Sequence, residues 1–146
     1  MASASPPLFR RTLLALDASP PNERAWATLK GLLDRVPATI VCHVVMRPTA
    51  IAGNEQDGDP SNEEELRINR TLRSALVQHA GPGAREVPIK ILHGDPGERI
   101  CEYAEFADCD LIVVVRGEKT GGLRLRGRVA KYVAGASRRS VLVIGS

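Results

Sequence analysis

The strongest chemical signal in the chain is the stretch at residues 110–128, DLIVVVRGEKTGGLRLRGR. Its apolar run stops abruptly at Arg116, and the segment beyond it holds Gly117, Gly121, Gly122 and Gly127 among several arginines. A buried strand that opens into a glycine-rich, cationic loop and then a helix turns backbone N–H groups toward an anion, usually a phosphate. From Arg116 to Arg139 eight basic residues face one acid, Glu118, a net of +7 in a chain whose total is +3, which leaves −4 for the rest. That asymmetry favours an anionic ligand at one place and argues against general nucleic-acid binding. The loop is not a known phosphate motif. Gly117 and Gly122 have P-loop spacing, but Leu123 and Arg124 stand where lysine and a hydroxyl residue are required.

Other reactive side chains are few. Asp17 closes a short apolar run, where a carboxylate can accept hydrogen bonds from a ribose or an adenine amino group; the same placement also suits a turn cap. His43 lies inside an apolar run and reads as a satisfied core histidine, while His79 and His93 stand at the ends of a helix and a strand with no nucleophile in recognisable context. Cys42, Cys101 and Cys109 form no CxxC pair and have no histidine at ligand spacing, so reduced packing thiols are expected rather than a zinc or disulfide framework. No paired carboxylates and no Ser/His/Asp arrangement emerge, so no enzyme activity, catalytic residue or metal site is expected. Tyr132 is the one aromatic near the basic loop, which removes base stacking as a mode of nucleic-acid recognition.

These residues need a scaffold. With 146 residues, 43% hydrophobic but only 3% aromatic, the chain suits one domain with an aliphatic core under a parallel sheet. Residues 1–10 read as a loose tail and 11–146 as the domain. Buried strands are expected at 12–17, 38–45, 87–92, 111–115 and 140–144. Pro88 places the third at a sheet edge. Helices are expected between them: Asn22 caps the first, Ser61 with Glu64 forms a capping box for the second, and Asp95, Pro96 and Glu98 open the third. The last helix carries Val129, Tyr132, Val133 and Ala136. Residues 46–61 form a long loop that either covers the site or leaves it open. The order βαβαβαβαβ defines an α/β fold: a single-domain, doubly wound, five-stranded parallel sheet with helices on both faces. No window approaches a membrane span, and the N-terminus lacks the core of a signal peptide, so a cytoplasmic protein is expected.

Four stretches taken together, TLLALDASPPNERAW, CHVV, HGDPGERICEYAEFADCDLIVVVRG and GRVAKYVAGASRRSVLVI, resemble the universal stress protein family from Arg11 to Ile144. The resemblance implies a fold related to adenine-nucleotide-binding domains, and a homodimer in which the final strands, Ser140–Ile144, pair between subunits. It also implies a nucleotide site at Asp17, Val44, Gly117, Gly127, Arg128 and Val129. The family's strand-four signature is Gly, two residues, Gly, nine residues, Gly, then Ser or Thr. Here it reads Val114, Gly117, Gly127, Arg128, with two positions kept and two altered. A valine at the first position adds a branched side chain where backbone would approach a ligand. An arginine at the last removes a compact donor but brings a guanidinium.

Two functions therefore compete. One is a dimeric stress-response protein that binds a ligand or partner without turnover. The other is an ATP-binding switch or slow ATPase using Asp17 and the glycine-rich loop, with ATP as its cofactor. The anionic ligand is an adenine nucleotide or another anion at the basic loop; neither a membrane nor specific nucleic-acid binding is expected.

Overall fold

The computed structural model describes residues 6–17, 21–46, 60–116 and 125–145. Five strands, β1 (Arg11–Ala15), β2 (Ala38–Val45), β3 (Ile89–His93), β4 (Leu111–Val115) and β5 (Ser140–Ile144), form one sheet in the order β3-β2-β1-β4-β5. Every neighbouring pair is parallel. The helices are α1 (Glu23–Leu33), α2 (Pro60–Ala80), α3 (Pro96–Phe106) and α4 (Leu125–Ala136). From β1 the chain first builds outward through β2 to β3, then returns to lay β4 on the other side of β1. With right-handed crossovers, that reversal puts α1 and α2 on one face of the sheet and α3 and α4 on the other.

The strands are apolar at consecutive positions because both faces are covered. Leu14, Val41, Leu111 and Val113 pack with Trp26, Leu29, Leu72 and Leu76 under α1 and α2. The alternate residues Leu13, Cys42, Ile112 and Val114 pack with Ile100, Ala104, Ala130 and Val133 under α3 and α4. The joint between α1 and α2 carries a ring stack, Trp26 on His79, with centroids 4.8 Å apart and planes 8° from parallel. His79, to which the sequence assigns no role, is a packing residue.

The helix caps follow the side chains expected for them. Asn22 Oδ1 accepts the Ala25 N–H at 2.9 Å, and Asp95 Oδ1 accepts that of Glu98 at 3.1 Å. The second helix differs. It begins at Pro60, so Ser61 lies inside the first turn and is not its N-cap; the fixed φ of proline suits a first helical position. Gly81, at φ 98°, ends α2 in a conformation that penalises any Cβ, and a single 3-10 turn at Pro82–Glu86 leads toward β3. β3 starts two residues later than the sequence suggests. Pro88 has no N–H for the ladder, although its carbonyl accepts from Val41 N at 2.8 Å.

The amino end of the sheet is tied by Asp110, whose two carboxylate oxygens accept the N–H groups of Arg10 and Arg11 at 2.8 and 3.0 Å. Burial alone would raise this carboxyl, but the two backbone hydrogen bonds and the Arg10 charge outweigh it and hold it below its usual range. Its contribution to stability is complete above the unfolded value, about 4, and is lost as pH falls through the lower folded value. The urea midpoints of the wild type and Asp110→Asn should thus differ near neutrality and draw together as pH falls through the lowered folded value of this carboxyl. A gap that stays constant across that range would remove Asp110 as the titrating tie.

Candidate ligand-binding site

A cavity of about 510 Å³ opens at the carboxyl ends of β1, β2 and β4. β1 and β4 are adjacent, with Ala15 opposite Val114, yet their chains depart in opposite directions. The gap left between diverging connections is where open α/β sheets hold ligands. Ala15, Leu16 and Asp17 line it from β1 and its exit, Val44, Val45 and Met46 from β2, and Val114 and Val115 from β4. Pro96 and Ile100 of α3 and Val129 of α4 close one side; Glu64, Arg67, Ile68 and Thr71 of α2 close the other.

Most of this surface is aliphatic, with a few polar groups at defined places, the usual make-up of a small-molecule site. Asp17 is an exposed carboxylate at the β1 exit. His43 is buried and places Nδ1 2.9 Å from the Leu16 carbonyl. A carbonyl can only accept, so Nδ1 carries the proton and a neutral ring leaves Nε2 as an acceptor. Cys42 also borders the cavity, but burial, with a smaller effect from Cys109, pushes its thiol up to about 12. It is protonated at neutral pH and is not a nucleophile. Near the start of α2, Glu65 pairs with Nε2 of His93, tying that helix to the end of β3.

Of the positions singled out in the sequence, Asp17, Val44 and Val129 come together on the cavity wall. Val114, which the family resemblance aligns with a signature glycine, joins them with a branched side chain that is only 4% exposed. Gly127 and Arg128 lie exposed in the first turns of α4 and are not among the lining residues. Gly117 falls outside the described residues, as do Gly121, Gly122 and most of the basic loop. Residues 47–59 of the long loop and 1–5 of the expected tail also lie outside them.

Sequence reasoning misses the contribution of α2. Glu64, Arg67, Ile68 and Thr71 recur at i, i+3, i+4 and i+7, one helical face beside the core face that carries Leu72 and Leu76. That spacing is a readable signal, but a polar helical face is normally solvated, and Glu64 reads equally well as part of a cap.

A parallel sheet of order 3-2-1-4-5 with a cavity at its switch point defines an open, doubly wound α/β protein. Within that class the chain belongs to the universal stress protein family, whose model matches residues 8–145. No curated protein matches it significantly. Among solved structures, it is similar to a hypothetical protein whose biochemical function was assigned from its structure: TM-score 0.72, 20% identity, 95% of this chain and 97% of that one. A universal stress protein in complex with cAMP aligns with TM-score 0.64 at 18% identity, over 94% and 97% of the two chains. A universal stress protein family protein from Arabidopsis thaliana with AMP bound aligns with TM-score 0.56 at 20% identity, over 93% and 91%. These likenesses establish the shared fold.

Proposed function

We propose that this chain binds an adenine nucleotide in the cavity at the carboxyl ends of β1, β2 and β4, and works as a binding protein rather than an enzyme. The observation that carries the reading is the convergence of Asp17, Val44 and Val129 on one largely aliphatic cavity. The structural relatives with cAMP and AMP support the ligand class. Aliphatic walls suit the faces of a base, and Asp17 is placed to accept hydrogen bonds from a ribose or an amino group. Gly117, Gly127 and Arg128 stay in this proposal as positions that the family resemblance implies; Gly127 and Arg128 stand in α4 outside the described lining, and Gly117 lies outside the described residues.

Calorimetric titration with AMP, cAMP and ATP–magnesium tests it. Saturable binding by at least one is expected, and no heat at millimolar ligand with no thermal shift would end the reading. Asp17→Ala should weaken adenosine and AMP by roughly tenfold each, the loss of one or two hydrogen bonds to a charged acceptor. An unchanged affinity would remove Asp17 from the site. The slow-ATPase reading rests on the same Asp17 and is checked by phosphate release; release of several phosphates per protein over hours would establish turnover.

The protein is further proposed to be a cytoplasmic homodimer serving the stress response. Three free thiols support a reducing compartment, and no helix among the described residues is long and apolar enough to cross a membrane. β5 is an edge strand with Leu142 40% exposed, a suitable surface for pairing with a second copy. A monomer in sedimentation equilibrium would contradict that pairing.

A further inference from the structure

The wall supplied by α2 differs in chemistry from the rest of the cavity. One face of a single helix brings in a carboxylate, a guanidinium and a hydroxyl, from Glu64, Arg67 and Thr71, opposite walls that are mostly aliphatic. The Thr71 hydroxyl donates to the Arg67 carbonyl at 3.0 Å, which orients Thr71 against its own helix. Among the described lining residues Arg67 is the sole cation, against the carboxylates of Asp17 and Glu64. It forms no salt bridge with another described side chain.

We propose that Arg67 is a specificity-determining residue: it holds the phosphate of an adenine nucleotide bearing one phosphate, monoester or cyclic, and selects that ligand over a triphosphate. The inference rests on the adenine-nucleotide reading of the cavity. Two features carry it. The first is charge. One phosphate is matched by one guanidinium, whose planar fork suits two phosphate oxygens at once. Among the described lining residues, second and third phosphates would find no further lysine or arginine and would meet the carboxylates of Asp17 and Glu64. The second is shape. The close approach of a phosphate chain to the strand-four backbone needs a position without a side chain, and Val114 fills that position. Among the described lining residues the cationic approach is from α2, where Arg67 stands.

The experiment is calorimetric titration of adenosine, AMP, cAMP and ATP–magnesium against the wild type, Arg67→Gln and Arg67→Lys. Arg67 is exposed on its helix, so both variants should keep the fold, which circular dichroism and thermal midpoints check. The wild type is expected to bind AMP and cAMP more tightly than adenosine or ATP. Arg67→Gln should weaken AMP and cAMP roughly ten- to a hundredfold, the loss of a charge-assisted pair, and leave adenosine unchanged. Arg67→Lys should recover part of the loss, because it restores charge without the fork. ATP as the tightest ligand, or an AMP-to-adenosine preference that survives Arg67→Gln, would overturn the inference while leaving the nucleotide reading intact. Failure of the wild type to bind adenosine or any nucleotide would overturn both.

Discussion

Val114→Gly is expected to destabilise the protein by about 2–4 kcal/mol and at the same time to raise its affinity for ATP. Val114 is a central-strand residue, 4% exposed, that packs among Leu13, Cys42 and Ile100 in the layer under α3 and α4. Removing its three side-chain carbons forfeits about 0.8 kcal/mol of transfer energy for each, and a glycine in a strand adds backbone entropy to the loss. The range is not higher because part of the vacated volume opens into the ligand cavity and fills with water. The functional effect has the opposite sign. The family resemblance aligns Val114 with a signature glycine, and on the nucleotide site proposed above, removing its side chain should let a phosphate approach the β4 backbone. Urea denaturation measures the first effect and calorimetry the second. Loss of stability with no gain in ATP affinity would show that Val114 does not control access.

Gly97→Ala is the second large effect, and it acts from the helix layer. A Cβ on Gly97 would sit 2.5 Å from Cδ1 and 2.9 Å from Cγ of Tyr132. Those atoms are at the base of the ring, so a small rotation of the side chain does not relieve the contact. Gly97 is buried in the first turn of α3, and Tyr132 lies in the middle of α4, so the glycine lets these two helices approach. Overpacking of this kind typically costs about 1–3 kcal/mol. It should also disturb ligand binding, since Pro96 and Val129, on the same two helices, both line the cavity. Tyr132 is itself 46% exposed, so Tyr132→Ala should cost less, and the double variant should recover most of the Gly97→Ala loss. Simple addition of the two costs would place the strain elsewhere.

Much of the framework is legible in the sequence because it is written in local chemistry. Leu111–Val115 is an unbroken apolar run, Ser140–Ile144 is apolar from its second residue on, and the limits of both as strands are those read from the sequence. Asn22 and Asp95 sit before apolar-periodic segments and act as caps through their side chains. Ser61 misleads because proline at position 60 opens a helix as readily as serine caps one. The strand order, with β1 and β4 side by side, is not written in this local chemistry, because other doubly wound orders satisfy βαβ handedness and cover both faces equally well.

The cavity is only half legible. Asp17, Val44 and Val129 can be placed from the family pattern, but Arg67 and Thr71 come from α2, a helix on which a polar face carries no mark of whether water or a ligand meets it. The Trp26–His79 stack is equally hidden, since it depends on how α1 lies against α2. The stretch at residues 110–128 divides along the same line. Its strand and its arrival at the cavity are fixed by burial, whereas the glycines between Arg116 and Leu125 lie outside the described residues.

The most direct test of the central claim is where a nucleotide binds. Backbone amide shifts of the isotope-labelled protein, followed as AMP is added, report that position without altering the chain. Saturable changes are expected at Leu16, Asp17, Val44, Val45, Val115 and Val129, around the carboxyl ends of β1, β2 and β4. Changes centred instead on the shallower groove between α3 and the end of α4, at Cys101, Glu105 and Ser137, would contradict the claim, as would no saturable change at all.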